Sequence, residues 1–320
     1  MVTSHIGLVQ NMNNIKPKII LDTDIGDDID DAFALLLMLE SEQFDVLGVT
    51  TVFRNARQRA HMCSYLIKKL NRSVPVYAGC DYPIISDPEK LNTDEIRARE
   101  KRDQYGMYQL PQWDPEMEKV PYESLNAVDF IIETVHKYPH EVILCGIGPL
   151  TNFAIALRKD PTIIPLIKEF RLMAGGVGIN FAEWNMFCDP EAAYIVYNSV
   201  VPNTTIGIHT TCKTGLSNED IEELKNSKSH AIATVYQMMM KWFEHYKFAG
   251  PVMHDPLAVA TIIKPELCTF EKHTIDIELG PEKRGFMLVD DNNQALTNVS
   301  MDVDVRAFLD FFKGTILKGE

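Results

Sequence analysis

The alternation of short apolar segments with helical patterns is the feature that most constrains how this chain folds. Six segments are predicted to be strands because they are short and mostly continuously apolar: residues 19–22, 46–52, 74–78, 142–147, 171–173 and 204–208. Helical patterns lie between them at residues 31–39, 55–70, 127–138, 152–158 and 190–197. Strands that alternate with helices in this way predict an α/β fold with an open, mainly parallel sheet flanked by helices.

The last third of the chain has a different pattern. A helix is predicted near residues 231–246, where apolar residues recur every three or four positions and form one face that packs in the core. A small C-terminal strand pair is predicted at 273–279 and 285–289, followed by a helix near 305–317. This region is therefore predicted to add a strand pair and two helices to the α/β fold, without further strand–helix alternation.

The chain is predicted to consist of a flexible leader at residues 1–16 and a single domain at residues 17–320. The leader is mostly polar, and the remainder is long enough for one large core without an evident linker. Several prolines between residues 80 and 122 indicate a loop-rich excursion from this domain.

An excess of acidic residues argues against two classes of partner. The chain has 31 Lys and Arg residues against 45 Asp and Glu residues, which gives a net charge of −14. A chain this acidic repels nucleic-acid phosphates and anionic lipids, so we predict no nucleic-acid partner and no membrane partner. We find neither a signal-peptide pattern nor the ~20 apolar residues of a membrane span, so the predicted location is cytoplasmic.

The segment LDTDIGDDIDDAF at residues 21–33 places many carboxylates between a strand and a helix. Its acids are Asp22, Asp24, Asp27, Asp28, Asp30 and Asp31. Capping explains two or three aspartates at the start of a helix, but six repel one another unless a positive charge lies among them. No Lys or Arg is interleaved, so the segment predicts a bound hard cation, Ca²⁺ or Mg²⁺. The cluster follows the first strand, at the edge where open α/β sheets bind ligands.

Two other motifs with clustered aspartates fit this segment less well. An EF-hand loop lies between two helices and carries Glu at its twelfth position, whereas this loop follows a strand and has Phe33 there. A phosphatase loop of the haloacid dehalogenase type, with Asp22 as nucleophile and Mg²⁺ as cofactor, requires Thr or Val where this chain has Gly26. The phosphatase stays the less favoured alternative.

Further polar residues follow later strands, at the same predicted edge of the sheet. They are Asn55, the carbonyl-rich segment GIGPLTN at 146–152, Asn180 in the glycine loop after Met173, Glu183, Asn185, and the pair His254–Asp255. Carbonyls exposed in a turn can ligate a cation. Asp255 can join a metal site while the neighbouring His254 faces a ligand.

Together these motifs resemble those of the nucleoside hydrolases. The matching segments, in order, are Asp22-Thr-Asp24 with Asp30-Asp31-Ala32, TTVFRN, GPLTN, LMAGG, AEWN followed by DPEAA, and HDPLAV. The resemblance covers about residues 17–316. It implies an open α/β sheet, a bound Ca²⁺, a homodimer or homotetramer, and an N-glycosidase that hydrolyses ribonucleosides to ribose and free base.

The resemblance also implies a role for each matching residue. The Ca²⁺ ligands would be Asp24, Asp31, the backbone carbonyl of Ile147 and Asp255. Asp24 would also act as base toward the attacking water, and His254 would be the general acid on the side of the departing base. The expected substrate contacts are Asp30, Asn55, Glu183 and Asn185 on the ribose hydroxyls, with Met173 and Asn180 along the pocket. Trp184 departs from the family, which usually has Phe there, and its indole is expected to stack on a base.

Two loops are among the places where the chain departs from the familiar family pattern. Asp27-Asp28-Ile29 stand where the best-known members have one residue, and Arg102 stands where a His is usual. These departures leave open a non-catalytic or altered-specificity member that binds a ribosyl compound. Asp24 and His254 favour an active hydrolase, since binding alone requires no base that activates water.

Overall fold

The protein is described here by a computed structural model that covers residues 16–85, 101–102, 108–247, 250–290 and 297–318. Apart from residue 16, the predicted leader lies outside the described residues, as do residues 86–100 and 103–107 of the loop-rich excursion. The strands are β1 (Lys18–Thr23), β2 (Asp45–Thr51), β3 (Val76–Ala78), β4 (Lys101–Arg102), β5 (Tyr108–Gln109), β6 (Val142–Gly146), β7 (Glu169–Met173), β8 (Asn203–Ile206), β9 (Cys268–Ile277), β10 (Met287–Asp290) and β11 (Thr297–Val303).

Helices connect most of these strands. They are α1 (Asp30–Glu40), α2 (Ala56–Lys69), α3 (Ala127–Lys137), α4 (Thr151–Lys159), α5 (Trp184–Cys188), α6 (Pro190–Tyr197), α7 (Ile208–Thr211), α8 (Asn218–Lys225), α9 (His230–Tyr246), α10 (His254–Ala260) and α11 (Val305–Ile316). Short 3₁₀ segments lie at Pro115–Lys119, Pro161–Leu166 and Pro265–Leu267. Among the described residues, no helix combines the length and the apolar character that crossing a membrane requires.

The predicted open and mainly parallel sheet is confirmed. Within the described residues the strands of the large sheet follow the order β10-β9-β11-β8-β7-β6-β1-β2-β3. All neighbouring pairs from β11 to β3 are parallel, while β9 is antiparallel to both β10 and β11. The carboxyl ends of the central parallel strands therefore meet along one edge, where the predicted site residues were expected.

Helices cover both faces of this sheet, and β1 shows why its sequence is continuously apolar. Ile19 and Leu21 pack into the core layer that holds α1, α2, α9, α10 and α11, whereas Ile20 packs into the layer of α3, α4 and α6. Successive side chains of a strand point to opposite faces, so a strand buried on both sides has no polar face.

Helix α1 is buried from Asp30 to Leu39 and packs against the helices α10 and α11. Its segment AFALLLML is apolar all round, as expected for a helix surrounded by protein. Because this helix starts at Asp30, its burial places two aspartates inside the protein at its first turn.

The C-terminal region adds one strand that the sequence did not predict. The predicted strand pair corresponds to β9 and β10, and the predicted helices near 231–246 and 305–317 correspond to α9 and α11. The additional strand β11 lies between β8 and β9 and joins the antiparallel strands to the main sheet. Its sequence TNVSMDV lacks a continuous apolar run, although most of its residues are at least partly buried.

Candidate active site

A cavity of about 300 Å³ lies at the carboxyl ends of β1, β6 and β7. Its wall consists of Asp24, Asp27, Asp28, Asp30, Asp31, Arg54, Tyr108, Ile147, Met173, Glu183, Trp184, Asn185, Ile208, Trp242, Tyr246, His254 and Asp255. This position agrees with the rule that ligands of open α/β sheets bind at the carboxyl ends of the strands. The cavity has the size of a small-molecule site and is strongly acidic.

Three buried carboxylates form a compact cluster in this cavity. Asp30, Asp31 and Asp255 each offer an oxygen, and these oxygens all lie within 4.8 Å of one another. Asp30 and Asp31 begin α1, and Asp255 is brought beside them because α10 packs on α1. The Asp255 backbone N–H donates to Asp30 Oδ2 at 3.2 Å, and the Thr23 hydroxyl donates to Asp31 Oδ1.

The electrostatics of this cluster favour a cation. Burial raises the pKa of Asp30, Asp31 and Asp255 well above its ordinary value, and the neighbouring carboxylates raise it further. Buried like charges in close proximity require protonation or a positive partner. The donor set consists of carboxylate oxygens, so the residues present fit a hard divalent cation.

Asp24 and Ile147, two predicted metal ligands, line the same cavity. Asp24 follows β1 and is 5% exposed, and burial raises its pKa to about 7 although Arg59 acts in the opposite direction. The Ile147 carbonyl accepts a hydrogen bond from Asn185 Nδ2 at 3.1 Å. Within the described part of the chain, the carboxylate cluster that could hold a metal ion comprises Asp30, a predicted ribose contact, with Asp31 and Asp255, and it does not include Asp24.

The loop after β7 contributes a polar wall through Glu183 and Asn185. The two Glu183 carboxylate oxygens accept from the backbone N–H groups of Gly175 and Asn185, both at 2.9 Å, and burial raises the Glu183 pKa to about 7. Asn185 Nδ2 also donates to the Met173 carbonyl at 3.0 Å. These contacts fix a carboxylate and an amide side by side, a combination suited to binding a diol.

Aromatic side chains form another part of the wall. Trp184 is 40% exposed, packs edge-on against Phe53 and stacks on Phe187. Trp242 and Tyr246, on α9, also line the cavity. The sequence assigned this face of α9 to core packing, and that assignment is incomplete: Trp242 is 1% exposed and belongs both to the core and to the cavity wall.

His254 lies at the start of α10, where its ring lines the cavity. Its Nδ1 is 2.6 Å from the Thr211 hydroxyl oxygen. Burial lowers the pKa of His254 to about 4, so the imidazole is neutral at physiological pH. A neutral imidazole oriented by a hydroxyl can exchange one proton with a ligand through its other nitrogen.

Two predicted substrate contacts, Asn55 and Asn180, are not brought to the described cavity wall. Asn55 lies in a turn with a positive φ of 56°, and its side-chain amide donates to the Tyr108 carbonyl. Asn180 is exposed in the loop that follows β7. The remaining predicted site residues all line the cavity.

Asp22, the nucleophile of the alternative phosphatase reading, is placed elsewhere. It is 0% exposed, and its Oδ1 accepts hydrogen bonds from the Thr50 hydroxyl and from Asn152 Nδ2. Asn152 also donates to the Thr51 carbonyl, so this carboxylate joins the ends of β1 and β2. Asp22 is absent from the described cavity wall, which leaves the phosphatase reading without an accessible nucleophile.

The sequence reasoning missed Arg59, a positive charge beside the aspartate loop. This residue of α2 is 0% exposed, and its Nη2 lies 2.8 Å from Asp27 Oδ2. Asp27 also accepts from the Tyr108 hydroxyl, while Asp28 Oδ1 accepts from the Ile29 backbone N–H. The additional acids of the longer loop, Asp27 and Asp28, therefore make contacts within the protein, although both line the cavity.

Comparison with known proteins adds independent information. Residues 19–310 match the family model described as inosine-uridine preferring nucleoside hydrolase. The chain is 30% identical to Uridine nucleosidase 1 of Arabidopsis thaliana over 94% of this chain and 93% of the relative. It is 34% identical to the pyrimidine-specific ribonucleoside hydrolase RihB of Escherichia coli, over 83% of this chain and 85% of that relative.

Among solved structures, a purine-preferring ribonucleoside hydrolase from Gardnerella vaginalis superposes with a TM-score of 0.79. That match has 28% sequence identity and covers 93% of this chain and 98% of the other. The similarities therefore extend over almost the whole sequence and include the cavity.

Proposed function

Because the chain belongs to the inosine-uridine preferring nucleoside hydrolases, we propose that the acid-lined cavity is its catalytic site. The family match and the nucleosidase relatives assign the chemistry: the protein is an enzyme that hydrolyses the N-glycosidic bond of ribonucleosides, giving ribose and free base. One observation supports this assignment most strongly. A single cavity is lined by the carboxylate cluster, by an amide and by an imidazole, which belong to Asp30, Asp31, Asp255, Asn185 and His254.

Ca²⁺ is the metal we propose for this site. Asp31, Asp255 and Asp24 would hold it through carboxylate oxygens, together with the Ile147 carbonyl, and these oxygen ligands suit a hard cation of high coordination number. The raised pKa of the buried carboxylates supports a positive partner in the cavity. When bound, such an ion supplies Lewis-acid activation of the attacking water.

The polar wall binds and orients the ribose in this proposal. Asp30, Glu183 and Asn185 offer carboxylate and amide groups to the hydroxyls, and Met173 packs beside them. Glycosidic cleavage passes through an oxocarbenium-like state with positive charge on the sugar, which these fixed carboxylates stabilise. A 2′-deoxy substrate leaves buried polar groups unpaired, so we expect strong preference for ribonucleosides.

Proton transfer is assigned to Asp24 and His254. Asp24 lies beside the carboxylate cluster at the end of β1, where it takes the proton of the attacking water. His254 lines the same cavity as Ile208 and the aromatic residues, and we assign its side to the departing base. When the Thr211 hydroxyl donates to Nδ1, the ring proton resides on Nε2, which then serves the leaving group.

We propose one catalytic domain over residues 17–320, a homodimer or homotetramer, and a cytoplasmic location. The match over residues 19–310 supports a single unit, since one family model covers most of the chain. Light scattering of the purified protein measures the assembly, and a monomer would contradict this part of the proposal.

A panel of nucleosides tests the proposed function. Uridine, cytidine, inosine and adenosine, each with its 2′-deoxy counterpart, are assayed for free ribose or deoxyribose while the metal content is measured. The panel includes purines and pyrimidines because relatives of both preferences match this chain. We expect the parent enzyme to release ribose and Asp24→Ala to lower this rate by several orders of magnitude. Asp302→Asn, which changes an exposed carboxylate, should leave the rate unchanged.

Two outcomes would contradict the proposal. Tight binding of ribonucleosides without release of ribose would favour the ribosyl-binding alternative. Near-parental turnover by Asp24→Ala would show that the catalytic site lies elsewhere or works without this carboxylate.

A further inference from the structure

Arg59 connects two loops that build the cavity. Its Nη1 donates to the carbonyls of Asp24 and Ile25, the latter at 2.9 Å, and its Nη2 pairs with Asp27 at 2.8 Å. All three acceptors belong to the loop between β1 and α1. The side chain is 0% exposed, so these contacts are shielded from water.

The same guanidinium binds a strained turn at the end of β2. Phe53, Arg54 and Asn55 have positive φ angles of 64°, 29° and 56°, which is rare for consecutive residues with side chains. Arg59 Nε donates to the Phe53 carbonyl at 2.7 Å and to the Arg54 carbonyl at 2.8 Å. Strained backbone persists only where surrounding contacts determine it strongly, and Arg59 supplies two of them.

This turn carries residues that shape the cavity wall. Arg54 lines the cavity, with its guanidinium 5.1 Å from the Phe53 ring centroid and 5.3 Å from the Tyr108 ring centroid. Asn55 donates to the Tyr108 carbonyl, and the Tyr108 hydroxyl donates to Asp27. The contacts form a closed circuit: Arg59 binds the turn, Asn55 of the turn binds Tyr108, Tyr108 binds Asp27, and Asp27 binds Arg59.

Lysine cannot reproduce this arrangement. Arginine presents five N–H donors in a rigid plane, which lets one side chain bind carbonyls of two loops and a carboxylate simultaneously. A lysine at this position keeps the positive charge but has a single ammonium group. Comparison of the two residues therefore separates the geometric contribution of Arg59 from its charge.

We infer that Arg59 is a positioning residue for ribonucleoside hydrolysis, which fixes the β1–α1 loop against the strained β2–α2 turn and so sets the place of Asp24. This inference rests on the proposed function, because it assigns a use to the position of Asp24. Misplacement of a reacting group by about 1 Å can lower a rate about 10²-fold. Arg59 touches no substrate in this role and acts through the residues it holds.

The test compares Arg59→Lys with the parent and with Arg171→Lys. Arg171 is a matched control because it is also a buried arginine, 7% exposed, whose guanidinium binds Glu169 and Thr261. Thermal unfolding first defines a temperature at which each variant is folded, and kcat and KM for a ribonucleoside are measured there. We expect kcat of Arg59→Lys to fall about 10²-fold with a smaller change in KM, and kcat of Arg171→Lys to stay within about twofold.

A double-mutant cycle provides a second measurement that holds even if Arg59→Lys folds poorly. Asp27→Asn weakens the same circuit from its other side, and we expect kcat to fall about tenfold. The kcat of the double variant should be little lower than that of Arg59→Lys alone, because both substitutions break the same circuit. If Arg59→Lys cannot be purified folded, Tyr108→Phe replaces it in the cycle with Asp27→Asn.

The outcomes separate this inference from the function on which it rests. A parent enzyme that releases no ribose would overturn the proposed function. Parental hydrolysis with kcat of Arg59→Lys within threefold of the parent, or fully additive losses in the cycle, would overturn the positioning role alone.

Discussion

Gly148 lies so close to Asp24 that a Cβ at position 148 would be 2.8 Å from Asp24 Oδ1 and 2.9 Å from its backbone nitrogen. Gly148 follows Ile147, so the chain after β6 packs directly on the carboxylate at the end of β1. Any side chain at position 148 must displace Asp24 or the Ile147 carbonyl. Gly148, the second glycine of GIGPLTN, is therefore required because two strand ends approach each other closely there.

Gly148→Ala should consequently damage catalysis more than folding. We expect a loss of about 1–3 kcal/mol in the free energy of unfolding from overpacking, together with a fall in kcat of about 10²-fold from the displaced Asp24. Urea unfolding and ribose-release kinetics measure the two effects. Gly314→Ala is the control: this exposed helical glycine has open space around its Cβ position, and alanine should stabilise the protein by about 0.5–1 kcal/mol at unchanged kcat. Equal kcat for Gly148→Ala and the parent would contradict the close-approach argument.

Removal of the metal should reduce both activity and thermal stability. A ligand that binds only the folded state stabilises it by about 2.7 kcal/mol at a hundredfold excess over its dissociation constant. We expect a calcium-selective chelator to abolish ribose release and to lower the melting temperature, with both restored by Ca²⁺. Asp31→Asn should lose this metal response, and Asp302→Asn, on the surface, should keep it. A chelated enzyme with unchanged melting temperature and turnover would refute the predicted metal site.

His254→Ala should discriminate between substrates by their leaving group. General acid assistance is worth about 10²–10⁴-fold for a poor leaving group and little for p-nitrophenolate. We expect kcat/KM to fall in that range for uridine or inosine and to change far less for p-nitrophenyl riboside. Thr211→Val, which removes the hydroxyl beside Nδ1, should show the same selectivity to a smaller degree. Equal losses on both kinds of substrate would exclude His254 as the acid.

The contact between Asp220 and Lys313 should make stability depend on pH. Burial alone would raise the pKa of Asp220, but hydrogen bonds from Lys313, at 2.5 Å, and from Ser217 outweigh it and hold this pKa below the ordinary value of 3.8. A carboxylate whose pKa is lower in the folded state stabilises the protein above its unfolded pKa, and this contribution is lost as the pH falls below that value.

Asp220→Asn should therefore lower the free energy of unfolding by about 1 kcal/mol near neutral pH. The difference from the parent should shrink as the pH falls below 3.8, where Asp220 of the unfolded parent is protonated, and should vanish once the pH also passes the lower pKa of the folded state. Urea unfolding of both proteins across this range measures the trend. Asp310→Asn is the control, since Asp310 is 72% exposed and its pair with Arg306 should contribute almost nothing. A constant difference at all pH values would contradict the assignment.

The sequence predicted those parts of the fold and site that depend on local pattern. The apolar segment of β1 and the acids that follow it were sufficient to place Asp24, Asp30 and Asp31 at the carboxyl edge of the sheet, because parallel strands end together there. The helix at 231–246 was likewise evident from its spacing. Strand β11 was missed because TNVSMDV has neither a continuous apolar run nor strict alternation, and its place is decided by the two strands beside it.

Long-range contacts account for the remaining differences. Arg59 lies 32 positions after Asp27, in a helix with several polar residues, so the sequence alone predicts that its side chain is exposed to solvent. Asn55 follows a strand as expected for a site residue, but the positive φ of its turn directs its amide to Tyr108. Trp242 has the spacing of a core residue and is buried in the core. Its additional position in the cavity wall depends on how α9 packs and is not evident from that spacing.

The position of β11 has a consequence for the order in which this enzyme can assemble. Ser300 of β11 accepts the Gly207 N–H on its hydroxyl, at 3.1 Å, and its carbonyl receives a hydrogen bond from His209, so this strand supports the turn that leads to Ile208 in the cavity wall. A nascent chain that has not yet reached residue 297 has β8 and β9 without the strand that separates them. Synthesis past residue 297 thus precedes completion of the sheet, and until then the turn that leads to Ile208 lacks its support from β11.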